Sequence, residues 1–535
     1  MSKKIFIQDW LELKPYEKQT ITDSYYLKLS NNVKGALMKE KSYFSDLIDE
    51  KEINTLACFL TSYFEDIISG TNIWNAFVRK HKQLYQKPIP FFEVEEYFEE
   101  EINMVDIHFL IWYFVSTLRE ESIILPDAPP LEIMAGSVMD LFEEAWDYAP
   151  ENKQLQSFYQ IDVNESNFYI VRKFIDKVLF DTYLFHTDTR KKLTGKESEI
   201  LKNYNQQDER KTLMLLNDMR DNMLHRTRTQ LLALTGKEWA AELLCSTHPL
   251  YKDILSMSKK INGWFFYKGQ DESDIFLEHV ASNMKFKMTK KSYDRTENLK
   301  KIDDMLHIGI VRWKDEWWFS GVVIYRDFDA DLILDEKDSI HSRESVAFLY
   351  HQSDEMKEML DKQLDSFLKF NKGMQIAFMP VGEVSSFLKN SVDFYNNSLN
   401  LSEKEIEEAH ARSRKDGLLS KHEINLPPST ENDETALVFF NPKSGSEIQY
   451  GVNSAFPLPN NPYFDKKLSE EHFTYILTDN DVSSDLAMFC IDNCKSKLPF
   501  FKQKNDITLF MKDLDFMLRF WKGENYFQEP RITMT

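Results

Sequence analysis

The run Glu93, Glu95, Glu96, Glu99, Glu100 and Glu101, followed by Asp106 and His108, is the densest set of potential metal ligands in the chain. On a helix, Glu96 and Glu100 share one face four residues apart, and carboxylates so paired can hold a divalent cation inside a bundle. Like charges at this spacing also occur on plain solvated faces at small energetic cost, and that explanation is preferred. Asp106 and His108 are two apart, so on a helix they point to different sides. A second set, Asp327, Asp329 and Asp331, follows an expected strand and has the opening pattern of a calcium loop. Leu332 stands where the sharp turn needs Gly, and Asp338 where a bidentate Glu belongs. A polar turn leaving the strand is therefore expected there. Glu407 and His410 match one i,i+3 ligand pair of a di-iron bundle, but that chemistry needs two pairs.

Basic residues concentrate at Lys285, Lys287, Lys290 and Lys291, in the same stretch as Trp264, Trp313, Trp317 and Trp318. Lysines beside aromatics on a small barrel can track a nucleic-acid backbone and stack bases. A small barrel also needs large aromatics to fill its core, and edge lysines discourage strand-to-strand association. Core filling and edge protection are the preferred reading. A smaller basic group is His225, Arg226 and Arg228. No G-x-S-x-G or G-x-x-x-x-G-K-[ST] is present, and Ser444-Gly445-Ser446 has no local tie to His472. Cys490 and Cys494 are half of a zinc spacing without a second half nearby, so structural thiols are expected.

The elements that must carry these residues begin with a strand-like Ile5–Ile7 and a helix after Asp23 with Tyr25, Leu29, Val33 and Leu37 along one stripe. Helical spacing continues from Ile53 to Ile67 with a stop at Gly70, and from Asn72 to Tyr85. A Glu-rich helix, then an all-apolar one over Met104–Leu118, are expected before the prolines at 126–130. Helices over Leu131–Tyr148, Glu165–Lys192 and Gln206–Leu234 follow. LTGKE occurs at 193–197 and again at 234–238, each reading as a capping-box helix start. Near Ile261 the period changes to two. Five short strands lie over 264–267, 275–280, 286–289, 308–313 and 317–325, with turns at Asn262-Gly263, Lys268-Gly269 and Asp315-Glu316. Helices at 356–370, 384–399 and 402–415, a strand at 375–379, a linker over 419–434, a strand at 437–440, a Pro/Asn-rich loop through Pro462 and helices at 484–494 and 507–521 complete the reading.

The expected fold is thus multidomain α and α+β: an N-terminal helical bundle (1–255), a small barrel-like β-rich domain (256–335), an α+β segment (336–420) and a C-terminal α+β unit (421–535). A net charge of −21 disfavours polyanionic partners and anionic membranes. Four cysteines in 535 residues are no disulfide framework. The N-terminus lacks signal-peptide character, and the longest apolar run, 109–115, is short of the ~20 residues a spanning helix needs, so the cytoplasm is expected.

KIFIQDWLELKPYEKQTITDSYYLKLSNNV at the start, with VFFNPKSGSEI and AFPLPNNPYFD near the end, resembles an uncharacterised bacterial family, a domain of unknown function. The resemblance spans both ends and much of the middle. It implies a bacterial origin and one co-evolved multidomain unit, and it transfers no catalytic residue. The function expected is that of a cytoplasmic interaction or scaffold protein with protein partners, without catalysis or cofactor. A carboxylate-held-metal hydrolase or nuclease, and a nucleic-acid binder using the barrel, are the alternatives.

Overall fold

The computed structural model describes residues 4–39, 48–119, 123–203, 209–299, 301–346, 349, 353–399, 401–415, 434–494 and 507–527. The chain divides into two compact units, Met1–Met257 with Leu509–Phe516, and Ser258–Thr508 with Met517–Thr535. The expected linker at 419–434 lies outside the described residues except for Glu434, as does the side chain of His410.

The first unit is built from α1 (Ile7–Leu11), α2 (Asp23–Lys39), α3 (Glu50–Ser69), α4 (Ile73–Tyr85), α5 (Met104–Leu118), α6 (Pro129–Ala145), α7 (Lys153–Phe158), α8 (Phe168–Phe180), α9 (Lys191–Asn203), α10 (Glu209–Arg226), α11 (Gly236–Leu244) and α12 (Tyr251–Ser256). Helix α3 starts with a reciprocal Asp49/Glu52 capping box and stops at Gly70 in the left-handed conformation, φ 60°. Helix α5 is buried from Ile107 to Thr117, as an all-apolar helix must be.

Several local expectations fail here, each for a physical reason. Ile5–Ile7 is no strand: the backbone of Ile5 bonds instead to the Asn31 amide, at 3.1 and 3.2 Å. The Glu-rich segment 92–103 is not helical. Its aromatics dock on α5 at non-helical spacing, Phe92 against His108 and Tyr97 on Asp106, and Glu96 and Glu100 are left exposed. The helix expected over 165–192 breaks after Phe180 into a 3₁₀ turn and a π turn, where Thr182 and Thr189 donate to the carbonyls of Val178 and Leu179. The helix expected to reach Leu234 ends at Arg226, because Leu232 and Ala233 take positive φ in a loop closed by Thr229 N–H on Leu234 O.

The second unit opens with β1 (Ile261–Gln270), β2 (Asp274–His279), β3 (Lys285–Thr289), β4 (Met305–Trp313) and β5 (Glu316–Arg326). They form a closed barrel in the order β1-β2-β3-β5-β4. All contacts are antiparallel except β3–β5, which pair in parallel at Met288 and Trp317. Alternation fills the interior with Phe265, Ile275, Leu277, Phe286, Met288, Leu306, Ile308 and Ile310. Asn262-Gly263 and Lys268-Gly269, expected at turns, both lie within β1. Gly269, φ 125°, sits at a register shift that bends the strand to close the barrel.

Beyond the barrel come α13 (Ala330–Asp338), α14 (Ile340–Glu344), α15 (Ser353–Phe370), β6 (Ile376–Pro380), α16 (Val384–Ser398), α17 (Glu403–Lys415), β7 (Thr435–Asn441), β8 (Gly445–Tyr450), α18 (Ser469–Thr478) and α19 (Ser484–Cys494). Helices α20 (Ile507–Lys512) and α21 (Leu514–Lys522) end the described chain. Strands β6, β7 and β8 make one antiparallel sheet, so the segments on either side of residues 416–433 share a core with Phe367, Val384 and Leu388. The sequence reading placed a loop over β8. Among the described residues no helix is long and apolar enough to cross a membrane.

Candidate ligand cleft at the end of the barrel

A cleft of about 400 Å³ opens where β1, β4 and β5 meet the 3₁₀ turn Thr296–Asn298. Pairing of Met305 with Arg326 and of Leu306 with Tyr325 brings the start of β4 beside the end of β5. The turn before β4 is fastened to β1 by Tyr267 N–H on Asp304 O, 2.9 Å, and Asp303 N–H on Tyr267 O, 2.8 Å. Buried Leu299, Met305 and Leu306 line the cleft together with Tyr267, while Asn298, Asp304, Tyr325, Arg326 and Asp327 supply polar groups. Tyr325 is 43% exposed, its hydroxyl meets that of Tyr293, and partial burial raises its phenol above the usual value.

The charges around the cleft are unevenly used. Asp303 pairs with Lys268 at 2.8 Å, and Asp329 with Arg326 at 2.8 Å. Among the described residues Asp304 has one ion-pair partner, Lys301 at 3.9 Å, and its Oδ1 is buried without a hydrogen-bond donor. Asp327 is exposed and has no ion-pair partner among the described residues. The groups can hold a polar ligand by hydrogen bonds and charge. They do not form a nucleophile–base arrangement.

Of the three aspartates singled out in the sequence, only Asp327 lines the cleft. Asp329 is the N-cap of α13, accepting from the N–H groups of Asp331 and Leu332 at 3.1 Å each, and Asp331 lies exposed in the first turn. Glu96 and Glu100 are in the other unit, on the non-helical segment, so the shared helix face that would have paired them does not exist. Among the described residues no group of three or more His, Cys, Asp or Glu side chains is placed to hold a metal ion.

The barrel lysines and tryptophans are not brought together as a stacking surface. Lys285 and Lys287 are exposed on β3, alternating with buried Phe286 and Met288. Lys290 donates to Asp271 O, and Lys291 pairs with Glu316 at 2.7 Å. Trp313 and Trp318 are 1% and 4% exposed, and Trp317 packs edge-on against Phe286 with centroids 5.1 Å apart. Cys490 and Cys494 are both buried, with Cys490 Sγ on Ala455 O at 3.3 Å, and burial raises its thiol well above the usual value.

Tyr267, Asn298, Asp304 and Arg326 were not singled out from the sequence. Asp303-Asp304 directly before a strand was the available signal, since paired acids at a strand entry point to the same barrel end as Asp327 at a strand exit.

The family described as "Protein of unknown function (DUF3843)" matches residues 4–300. That span covers the described helices α1 to α12 and strands β1 to β3, and it stops before β4, so Asp304 and Tyr325–Asp327 lie beyond it. No curated protein and no solved structure matches the chain.

Proposed function

The chain belongs to the DUF3843 family, and from that premise we propose that it is a non-catalytic interaction protein whose second unit carries the recognition site in the barrel-end cleft. The observation that carries this reading is the make-up of the cleft itself. Asp304 Oδ1 is buried without a hydrogen-bond donor, and exposed Asp327 has no ion-pair partner among the described residues. Ile302, Ile324, Tyr325 and Phe328, within two residues of the polar lining, are each more than two-fifths exposed, the mixture of apolar rim and polar floor that recognition sites use. The reading extends to a bacterial cytoplasmic protein. The family resemblance supports the first and the low cysteine content the second. No cofactor is part of it.

The test is affinity purification from the native host with the full chain and with a Tyr325→Ser/Phe328→Ser variant, identifying what is retained on each. A partner retained by the wild type and lost from the variant is expected. Identical retention on both, at equal folded content, overturns the reading.

A further inference from the structure

We propose that the barrel-end cleft, on which the reading above also rests, binds a primary alkylamine. The ammonium head sits against Asp304 and Asp327, and the carbon chain lies on the apolar lining. Three features of the site converge on this class. The first is size: about 400 Å³ suits a small side chain or a metabolite of modest size, within the range of small-ligand clefts. The second is charge. Lys268 and Arg326 are each engaged by an aspartate at 2.8 Å, so these two cations beside the cleft are already matched among the described residues. Asp304 and Asp327 remain, opposed by Lys301, which is 71% exposed and 3.9 Å from Asp304 Oδ1. An anionic ligand meets two carboxylates and a guanidinium already in use. A cation meets the reverse.

The third feature is an unmet hydrogen bond. Asp304 Oδ1 is buried and no donor reaches it, and a buried carboxylate oxygen without a donor is a position a ligand N–H stabilises directly. An ammonium group brings three donors and no acceptor, matching the two carboxylates of the cleft. Leu299 and Leu306 border the cleft on its apolar side, and Tyr325, 43% exposed, adds aromatic surface of the kind that attracts cations. The amine could be carried by a free diamine or by a lysine side chain of a partner protein. The head-group chemistry is the same.

Calorimetric titration of the full chain separates these cases. The probes are 1,5-diaminopentane, Nα-acetyl-lysine methylamide, the neutral Nα-acetyl-norleucine methylamide, and glutarate. Saturable binding of one or both amines is expected, with no heat from the neutral or anionic probe. Asp304→Asn and Asp327→Asn, each checked for unchanged circular dichroism, are expected to weaken amine binding by about tenfold or more. Asp354→Asn, on the exposed start of α15, is expected to leave it unchanged. Preference for the diamine assigns the ligand as a free amine, and preference for the lysine amide assigns it as a partner's side chain. The proposal is overturned if neither amine binds, if norleucine or glutarate binds as tightly, or if neither aspartate substitution matters. Partner retention that depends on Tyr325 and Phe328 without any amine binding overturns this proposal alone and leaves the interaction reading standing.

Discussion

Four carboxylates enclosed in the helical unit contrast with two aspartates at the barrel end of the other unit. In the helical unit Asp23, Glu65, Asp66 and Asp106 are at most 2% exposed, and each is surrounded by donors. Asp23 accepts from Trp10 and Tyr16 at 2.8 and 2.9 Å. Glu65 takes the Lys14 ammonium and the Asn152 amide, while Lys14 also lies 3.7 Å over the Trp10 ring. Asp66 projects from α3 onto the start of α4, accepting the N–H groups of Ile73 and Trp74 at 3.2 and 2.7 Å together with the Tyr183 hydroxyl. Burial raises the Asp66 carboxyl above its usual value, and the donors at the helix N-terminus oppose that shift. Asp106 accepts from Tyr63, Tyr97 and Asn103. In the second unit Glu447 and Lys522 are similarly enclosed, but the barrel-end aspartates are left open. These four carboxylates of the helical unit are held by donors of their own fold, whereas Asp304 Oδ1 has no hydrogen-bond donor and exposed Asp327 no ion-pair partner among the described residues.

The largest expected effect breaks the saturated side of this contrast. Lys14→Met leaves Glu65 buried without its cation and is predicted to destabilise the helical unit by about 3–5 kcal/mol. Lys14→Met/Glu65→Leu recovers most of that loss. Denaturant titration decides, and a single mutant as stable as wild type refutes the pairing as a structural requirement. Next is Gly309→Ala in β4. A Cβ there falls on the Ser320 carbonyl oxygen, at the register shift between His307 and Gly309, and the barrel is predicted to lose about 3 kcal/mol. Unchanged melting would show that β4 and β5 can separate at that point.

Two pH measurements sharpen the comparison. Burial raises the Asp106 carboxyl to about 7, so between its ordinary value of 3.8 and 7 the folded state holds a proton that the unfolded chain releases. Asp106 therefore makes the helical unit lose stability as pH rises through that window. Burial lowers the Lys522 ammonium to about 7 from 10.5, although it donates to the carbonyls of Ile476 and Asp479 at 2.6 and 2.8 Å. Between 7 and 10.5 the unfolded chain holds the extra proton, so Lys522 makes its unit gain stability as pH rises. Asp106→Asn is expected to flatten the acidic slope and Lys522→Met the alkaline one, each leaving the other in place. Thermal melts from pH 4 to 10 that keep both slopes in the mutants would contradict these assignments. The smallest effect is expected at Glu96→Gln and Glu100→Gln, within about 0.5 kcal/mol in urea and indifferent to added divalent cations. A cation-dependent rise in melting temperature lost in either variant would restore a metal role to that segment.

Much of the fold was legible because its signal is local. Buried alternation of Phe286 and Met288 against exposed Lys285 and Lys287 announces a strand before any partner is known. Gly70 announces a helix end. The two copies of LTGKE show the limit of such reasoning. At 234–238, Thr235 N–H donates to Glu238 at 2.7 Å and a helix begins. At 193–197 the same five residues lie inside α9, with Thr194 bonding back to Lys191 O. The cleft was legible only in part. Asp327 was visible as one of three spaced aspartates, but which of them would cap a helix depended on where α13 starts.

From composition and period alone came a helical first half, a switch near Ile261, five strands and the absence of a recognisable catalytic motif. These follow from which side chains recur on one face, a property of neighbours in the chain. Tertiary structure decided that β6 joins β7 across some 55 intervening residues, that Trp313 and Trp318 are buried, and that Asp304 and Asp327 meet at the ends of two neighbouring strands in one cleft. Those outcomes depend on strand register and on which groups already have partners, and a register is a relation between distant segments that no local spacing contains.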